Sequence, residues 1–224
     1  MPKLLRILLS SSLLAVACSA ETIDLFDGFA ANWRNSWREQ SLFSKPTVYR
    51  VTRDKSKPVL HAISQSANSG LLRELKLSPA DYPVRLRWQW KIAQTLDAEA
   101  SEKTRSGDDY VARICLVFET SIIPLRTRSI QYVWSSREPV GASYRSPYSK
   151  QVGMIVLQSG DQAAGQWLSE ERDIIADYRK YFGRDPKEIS AIGIVVDSDN
   201  TKTDGEAWFA DLQIEAGPQT KVRD

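Results

Sequence analysis

The sequence predicts a mainly β protein: a single β-sandwich of jelly-roll type with one α-helix near residues 170–182. Short runs that alternate apolar and polar residues recur along the chain, and turn-forming Pro, Gly, Ser, Asn and Asp separate them. Strands and helices do not alternate regularly, which argues against a parallel α/β sheet. The 224 residues are 42% apolar and 26% charged, an ordinary globular composition that excludes collagen-like, disordered and disulfide-rich classes.

Residues 85–92 form the clearest predicted strand, because their apolar and polar side chains alternate strictly. One face carries Leu86, Trp88, Trp90 and Ile92, and the other carries Arg85, Arg87, Gln89 and Lys91. Further runs predict strands over 47–52, 59–63, 110–119, 129–134, 154–158, 189–197 and 207–215. In the run 110–119, alternation places Arg113 on the face opposite Tyr110, Ala112 and Ile114.

One helix is predicted in the C-terminal third of the chain. Ser169 is a candidate N-cap, and the acidic Glu170 and Glu171 suit the positive N-terminus of a helix. Apolar residues recur at helical spacing over 174–182, and Gly183 is a typical residue just after a helix end. We expect this helix to pack against an edge or a face of the sandwich.

The first twenty residues have the order of a secretory signal peptide. Lys3 and Arg6 precede an apolar stretch over 7–17, and small residues follow up to Ala20. We expect cleavage after Ala20 and a periplasmic or secreted protein. The alternative is cleavage before Cys18, which loosely fits a lipobox and predicts an outer-membrane lipoprotein anchored through that cysteine.

The rest of the chain is predicted to be a β-sandwich domain over 21–216 with a C-terminal tail over 217–224. Residues 96–108 are polar and are expected to form an exposed, mobile loop. The formal charge of +2 belongs to Lys3 and Arg6, so the segment after the signal has 28 basic and 28 acidic residues. Neutral charge and the lack of a basic run argue against nucleic acid as a partner, and no transmembrane segment is predicted after the signal.

Several motifs occur together and in a fixed order along the chain. They lie at 106–114, 130–134, 146–148, 158–160, 165–167, 172–179 and 197–201. Together they resemble a family of exported bacterial domains of unknown function, number 3047, over residues 23–214. The resemblance implies export and a sandwich shaped like many carbohydrate-binding modules. It implies no established activity and therefore no catalytic residue.

The polar face of the strand over 85–92 is the first candidate binding surface. If that strand is central, Arg87, Gln89 and Lys91 would join Arg113 on a concave face, a cationic and hydrogen-bonding floor suited to an anionic glycan. If the strand is at an edge, the same residues form a solvated face that discourages aggregation.

Two tyrosines are candidates for contact with a sugar. Tyr148 belongs to a loop rich in Gly, Ser and Pro, where an exposed, stacking role is favoured. Tyr132 or Tyr148 beside Arg113 is also the arrangement that a tyrosine-based polysaccharide lyase would need, because a nearby cation allows tyrosine to act as a base. The paired carboxylates of β-sandwich glycosidases are missing from the sequence.

Two acidic turns are candidates for binding an ion or a sugar hydroxyl. Asp108 and Asp109 precede the strand that carries Arg113, and one of them is a candidate partner for that arginine. Asp197, Asp199 and Asn200 offer oxygen ligands between two predicted strands, so a structural Ca²⁺ site is a hypothesis. The alternative is a hairpin turn whose side chains bond to their own backbone.

The function that these features predict is a periplasmic or envelope binding module for a carbohydrate or another polar or anionic envelope component, without a cofactor. Two alternatives stay open: a glycan lyase or hydrolase on the same fold, and a structural envelope protein.

Overall fold

The computed structural model describes residues 21–29, 32–41, 44–78, 83–118 and 127–216. The signal at 1–20, with Cys18, and the tail at 217–224 lie outside these residues, so those predictions stay untested. Two antiparallel-rich sheets pack face to face, which confirms the predicted mainly β sandwich with one helix among the described residues. No helix in the described part of the chain is long and apolar enough to cross a membrane.

The first sheet has six strands. In chain order they are β1 (Glu21–Asp24), β3 (Val48–Asp54), β4 (Lys57–Gln65), β6 (Arg85–Ile92), β11 (Leu168–Asp173) and β13 (Asp204–Ala216). Their spatial order is β11-β6-β13-β4-β3, and β1 pairs with β13. Because β6 lies between β11 and β13, it is an inner strand, and the alternative of an edge strand is wrong.

The second sheet has seven strands. They are β2 (Arg38–Ser41), β5 (Asn68–Leu77), β7 (Ala112–Phe118), β8 (Arg128–Ser135), β9 (Ser143–Ser146), β10 (Ser149–Ser159) and β12 (Ile189–Asp197). Their spatial order is β2-β5-β12-β7-β8-β10-β9. All neighbours are antiparallel except β8 and β10, which run parallel.

The core forms where the inner faces of the two sheets meet. The predicted apolar face of β6 is buried in full, and Trp88 and Trp90 are at most 1% exposed. Ring centroids of Trp88 and Tyr132 lie 5.5 Å apart, and those of Trp90 and Trp134 lie 5.8 Å apart, so aromatic contacts join the sheets. Burial of each such side chain contributes roughly 1.5–3 kcal/mol, which is why alternation on a single strand predicts the orientation of the sheet.

The helix begins later than the sequence suggested. It is α1 (Ile174–Phe182), and Asp173 caps it by accepting from the N–H groups of Ile175 and Ala176. The predicted cap at Ser169 is wrong, because 168–173 pair with β6 as strand β11 and alternate their exposure. The predicted end is confirmed: Gly183 adopts a left-handed φ of 72°, which favours glycine.

The segment before β7 also differs from its prediction. The strand begins at Ala112, so Tyr110 is free of the strand alternation and packs with the outer-face residues Val133 and Met154, on the same side of the sheet as Arg113. Residues 96–108 are not an exposed loop throughout, because Leu96, Glu102 and Asp108 are buried. A short 3₁₀ turn, Arg105–Gly107, lies there, and two others are Asp27–Phe29 and Trp33–Ser36.

Candidate functional site

The outer face of the six-stranded sheet carries a line of large side chains across neighbouring strands. Strand register places His61 of β4 opposite Trp208 of β13, and Trp208 opposite Lys91 of β6. Trp167, just before β11, lies beyond Lys91. We call these four residues the outer row. All four are partly exposed, so the row forms a polar and aromatic surface.

The members of the outer row stack on one another. The rings of His61 and Trp208 are nearly parallel, with centroids 4.8 Å apart and 4° between their planes. The Lys91 ammonium lies 4.7 Å from the centroid of Trp208 and 5.0 Å from that of Trp167. Because β4 and β6 flank β13, His61 and Lys91 cover opposite faces of Trp208, and the indole presents its edge to solvent.

Carboxylates hold the outer row in place. Asp54 accepts from Lys91 Nζ at 2.6 Å and from Trp167 Nε1 at 2.7 Å. These two hydrogen bonds lower the pKa of Asp54 below its ordinary value. At the other end, His61 Nε2 lies 2.7 Å from Glu206 Oε1. The stack is therefore fixed at both ends before any ligand arrives.

Arg87 and Gln89 lie on the same outer face as the row. Arg87 bonds to Glu171 at 2.7 Å and to Glu215 at 2.6 Å, and the bond to Glu171 is the main cause that raises its pKa. The Gln89 amide accepts from Lys57 at 3.0 Å. Its nitrogen donates to Ser169 at 3.1 Å. Since Arg87 and Lys91 each have a carboxylate partner, this surface is polar without being strongly cationic.

Arg113 does not belong to this surface. It lies on β7 in the other sheet, so the predicted common groove of Arg87, Gln89, Lys91 and Arg113 is wrong. Arg113 is 7% exposed and forms a buried salt bridge with Asp197. It also donates to Gln131 Oε1 at 2.9 Å. The groove fails because the two strands belong to different sheets and their polar faces point away from each other across the core.

Tyr132 does not face solvent. It is fully buried in the core, and its hydroxyl donates to Asp177 Oδ2 at 2.7 Å. Burial raises its pKa well above the ordinary value. Tyr132 points into the core, whereas the neighbouring Arg113 lies on the outer face of the same sheet. The structure thus contradicts the pairing of Tyr132 with Arg113 in the lyase hypothesis. The other pairing, Tyr148 with Arg113, stays a prediction.

Tyr148 is exposed at one end of the seven-stranded sheet. Its side chain is 52% accessible. Its hydroxyl lies 3.1 Å from both the Arg105 carbonyl and Asn200 Oδ1, which orients the ring. The predicted acidic turns are next to it, since Asn200 Nδ2 donates to Asp109 Oδ1 at 3.0 Å. The structure brings Tyr148 together with both turns, away from the outer row.

The two acidic turns meet at this end of the sheet. Asp109, Asp197 and Asp199 each offer a carboxylate oxygen, and the three oxygens lie within 4.8 Å of one another. Protein groups already donate to them: Thr201 N to Asp109 at 2.6 Å, Tyr110 N to Asp197 at 2.9 Å, and Ser44 Oγ to Asp199 at 2.6 Å. We call Asp108, Asp109, Arg113, Asp197 and Asp199 the acidic end.

Asp108 completes the acidic end. It is 6% exposed, and Ser146 Oγ donates to its Oδ2 at 3.3 Å. Burial raises its pKa. The Ca²⁺ hypothesis stays a prediction here. A calcium titration followed by thermal unfolding tests it: an increase in Tm that Mg²⁺ does not reproduce supports the site, and an unchanged Tm rejects it.

Sequence reasoning missed three of the four members of the outer row. Trp208 could have been found, because it alternates with Ala207 and Phe209 and shares a face with Glu206. His61 lies in the predicted strand over 59–63, but nothing in its local sequence indicates a stacking partner. Trp167 belongs to the motif at 165–167, but the segment after it has the residues of a helix N-terminus, so no position on a sheet face is predicted for it.

The geometry defines a class: a two-sheet β-sandwich protein with an ordered polar and aromatic surface on one outer sheet face. The chain belongs to the family described as "Protein of unknown function (DUF3047)", which matches residues 35–213. No curated protein matches its sequence.

Two solved structures resemble this chain at low similarity. The family 11 carbohydrate-binding module of a Clostridium thermocellum cellulosomal cellulase is 11% identical over 89% of this chain and 96% of that one, with a TM-score of 0.46. The K3 cleaved adhesin domain of Lys-gingipain from Porphyromonas gingivalis is 12% identical over 88% of this chain and 98% of that one, with a TM-score of 0.40.

Proposed function

We propose that this protein binds a neutral carbohydrate on the outer face of its six-stranded sheet. The observation that carries the proposal is the outer row, in which three aromatic rings and one ammonium are stacked across neighbouring strands and are partly exposed. Sugars combine apolar C–H surfaces with hydroxyl groups. A surface that alternates aromatic and hydrogen-bonding side chains complements both features.

The two tryptophans of the outer row contribute different kinds of contact. Trp167 stands at the end of the stack and offers an indole for a sugar ring, whereas Trp208 offers mainly its edge. Gln89, Lys91 and Asp54 stand beside these rings with donors and acceptors held in fixed orientations. Pre-ordering of these side chains reduces the entropy cost of binding.

Charge pairing favours a neutral ligand over an anionic one. Arg87 already binds Glu171 and Glu215, and Lys91 already binds Asp54. An anionic glycan would approach these carboxylates as well as the cations, so it gains little net attraction. The anionic preference is therefore the part of the expected function that this surface supports least.

The test is a binding panel with site variants. Soluble neutral polysaccharides (a mixed-linkage β-glucan, a galactan and a xylan) and an anionic polyuronate are compared by affinity electrophoresis, and hits are measured by titration calorimetry. We expect a neutral polymer to bind. We expect Trp167→Ala and Trp208→Ala each to weaken binding about tenfold, equivalent to about 1.4 kcal/mol.

Tyr148→Ala is the matched control, because it removes an exposed aromatic ring from the acidic end and leaves the outer row intact. Its affinity should equal that of the unaltered protein. Thermal unfolding of every variant shows whether it is folded. Binding that survives both tryptophan substitutions, or that is lost in Tyr148→Ala, would place the glycan elsewhere and contradict the proposal.

We also propose that the protein acts outside the cytoplasm, supported by the signal-like residues 1–20. Cell fractionation and mass spectrometry of the mature N-terminus test this. A chain that begins at Glu21 indicates soluble export, and a lipid-modified Cys18 indicates the anchored alternative. An unprocessed N-terminus at Met1 contradicts both.

A further inference from the structure

A separate cleft of about 460 Å³ opens at the side of the sandwich, on the other face of β11 from the outer row. Along β11 the exposure alternates, so Glu171 points outward to Arg87, whereas Glu170 and Arg172 point into the cleft. Strand β10 forms the opposite wall, and α1 closes one end. The cleft and the outer row therefore share no side chain.

A rigid polar network forms the floor of the cleft. Arg172 binds Asp177 through two bonds, Nε to Oδ2 at 2.8 Å and Nη2 to Oδ1 at 2.5 Å. The Tyr132 hydroxyl supports the same carboxylate at 2.7 Å. Asp177 is thus fully engaged. Arg172 keeps its Nη1 group without a protein partner among the described residues, and one third of its side chain is exposed.

Lys180 adds a second cationic group. It is three residues after Asp177 on α1, so both side chains lie on the helix face that lines the cleft. Lys180 is exposed and has no hydrogen bond or ion pair with any residue in the described part of the chain. Because Arg172 and Asp177 pair with each other, Lys180 adds an ammonium that is free to pair with an anionic group of a ligand.

Glu170 stands across the cleft with one oxygen free. Its Oε1 accepts from Gln158 Nε2 at 2.7 Å and from Trp90 Nε1 at 3.2 Å. Its Oε2 has no bond to any described residue. Burial raises the pKa of Glu170 above its ordinary value. Its Oε2 faces the cleft and can bond to a donor group of a ligand.

The rest of the wall is apolar. Ile155 and Leu157 of β10 and Tyr181 of α1 are half-buried and line the cleft. Val140, 63% exposed, stands at its mouth. An apolar wall opposite two cationic groups fits a compact molecule with one charged end and one apolar side.

We propose that this cleft binds a small organic carboxylate. The ligand's carboxylate pairs with Lys180 and the free edge of Arg172, and Glu170 bonds to a donor group of the ligand. Its apolar side packs on Ile155, Leu157 and Tyr181. A planar carboxylate can pair with a guanidinium edge through two hydrogen bonds. The apolar wall of Ile155, Leu157 and Tyr181 favours an organic acid over an inorganic anion.

The probes are benzoate and glucuronate. Benzamide and glucose are their neutral matches, and inorganic phosphate is an anion without an apolar side. Binding is followed in ¹H–¹⁵N spectra through the indole N–H of Trp90, which donates to Glu170, with Trp90→Phe used only to assign the signal. We expect at least one carboxylate to shift this signal in a saturable way, and its neutral match not to do so.

Lys180→Met tests the ammonium, and Lys150→Met is the matched control, because Lys150 is an exposed lysine of β10 that does not line the cleft. We expect the first variant to weaken carboxylate binding about tenfold and the second to leave it unchanged.

Absence of binding by both carboxylates overturns the proposal. So do equal binding of the neutral matches or of phosphate, and unchanged affinity in Lys180→Met. Glycan binding to the outer row would shift the indoles of Trp167 and Trp208 instead, so the two proposals fail independently.

Discussion

The outer row with its neighbouring ion pairs and the acidic end use the same residue types in opposite ways. At the sheet face, the side chains of Arg87 and Glu171 are 43% and 45% exposed. At the acidic end, those of Arg113 and Asp197 are 9% and 5% exposed. Water competes with the first pair and not with the second. The exposed pair can exchange its partners for a ligand, whereas the buried pair must stay intact for the fold to hold.

This contrast shows that a charged side chain on a strand can belong either to an accessible surface or to a buried ion pair. Arg87, Lys91 and Arg113 looked equivalent as ligand-binding groups. The structure assigns two of them to an accessible surface and gives the third a buried partner, with Tyr110 packed 4.7 Å from its guanidinium carbon. Four single substitutions test whether burial separates the two regions as sharply as this comparison states.

The largest effect is expected for Arg113→Met. Removal of the guanidinium leaves the buried Asp197 carboxylate without its cation, and we expect the free energy of unfolding to fall by about 3–5 kcal/mol. Urea denaturation followed by circular dichroism measures it.

The double variant Arg113→Met with Asp197→Asn is the control for this prediction. Because it removes both charges, it should recover a large part of the lost stability. If the single variant is as stable as the unaltered protein, the acidic end is not held by this pair and the contrast with the sheet face is lost.

A smaller effect, with opposite signs in the two regions, is expected for two Glu→Gln substitutions. Glu102, 3% exposed, lies in the segment before the acidic end and accepts from Ser136 N at 2.6 Å. Burial raises the pKa of Glu102 in the folded protein above its pKa in the unfolded chain. The contribution of Glu102 to stability is therefore fully present below the unfolded pKa and is lost as the pH rises through the folded pKa. Glu102→Gln should therefore unfold at a higher temperature than the unaltered protein at neutral pH, and the gain should shrink in acid.

Glu171→Gln should behave in the reverse manner. Hydrogen bonds from Arg87 and Arg85 lower the pKa of Glu171, so its contribution is present above the unfolded pKa and is lost as the pH falls through the folded value. The variant should be slightly less stable at neutral pH, and the deficit should vanish in acid. Thermal unfolding of both variants between about pH 2 and pH 8 gives the comparison, because the range must extend below the lowered pKa of Glu171. If the difference in Tm from the unaltered protein changes with pH in the same direction in both variants, burial does not distinguish the two regions.

The smallest effect on stability is expected for Arg87→Ala. Its ion pairs are exposed, so the midpoint of urea denaturation should stay within experimental error of the unaltered protein. Glycan affinity should nevertheless fall, because the substitution removes a donor beside the outer row and frees Glu171 and Glu215. A clear loss of stability without a loss of affinity would show that these ion pairs are structural and would weaken the proposed binding surface.

The fold was predictable because its signals are local. Alternation over 85–92 identified an inner-facing apolar surface, and every predicted run overlaps a strand. Strand β5 was missed, since its leucines alternate imperfectly and give a mixed pattern. The sequence of strand β11 predicts the N-terminus of a helix instead of a strand. Its residues Ser169, Glu170 and Glu171 are as typical of a helix N-terminus as of a polar strand.

The sequence by itself determined which side of each strand is apolar, and hence the sandwich and the existence of a polar outer face on β6. Only the tertiary structure decided what each polar side chain meets. His61 and Glu206 are 145 residues apart in the chain and still contact each other across neighbouring strands. Alternation repeats every two residues and depends only on residues that are neighbours in the sequence. The pairing of strands depends instead on how the whole chain packs. That packing placed three aromatic residues in one row with Lys91 and put Arg113 on the opposite sheet.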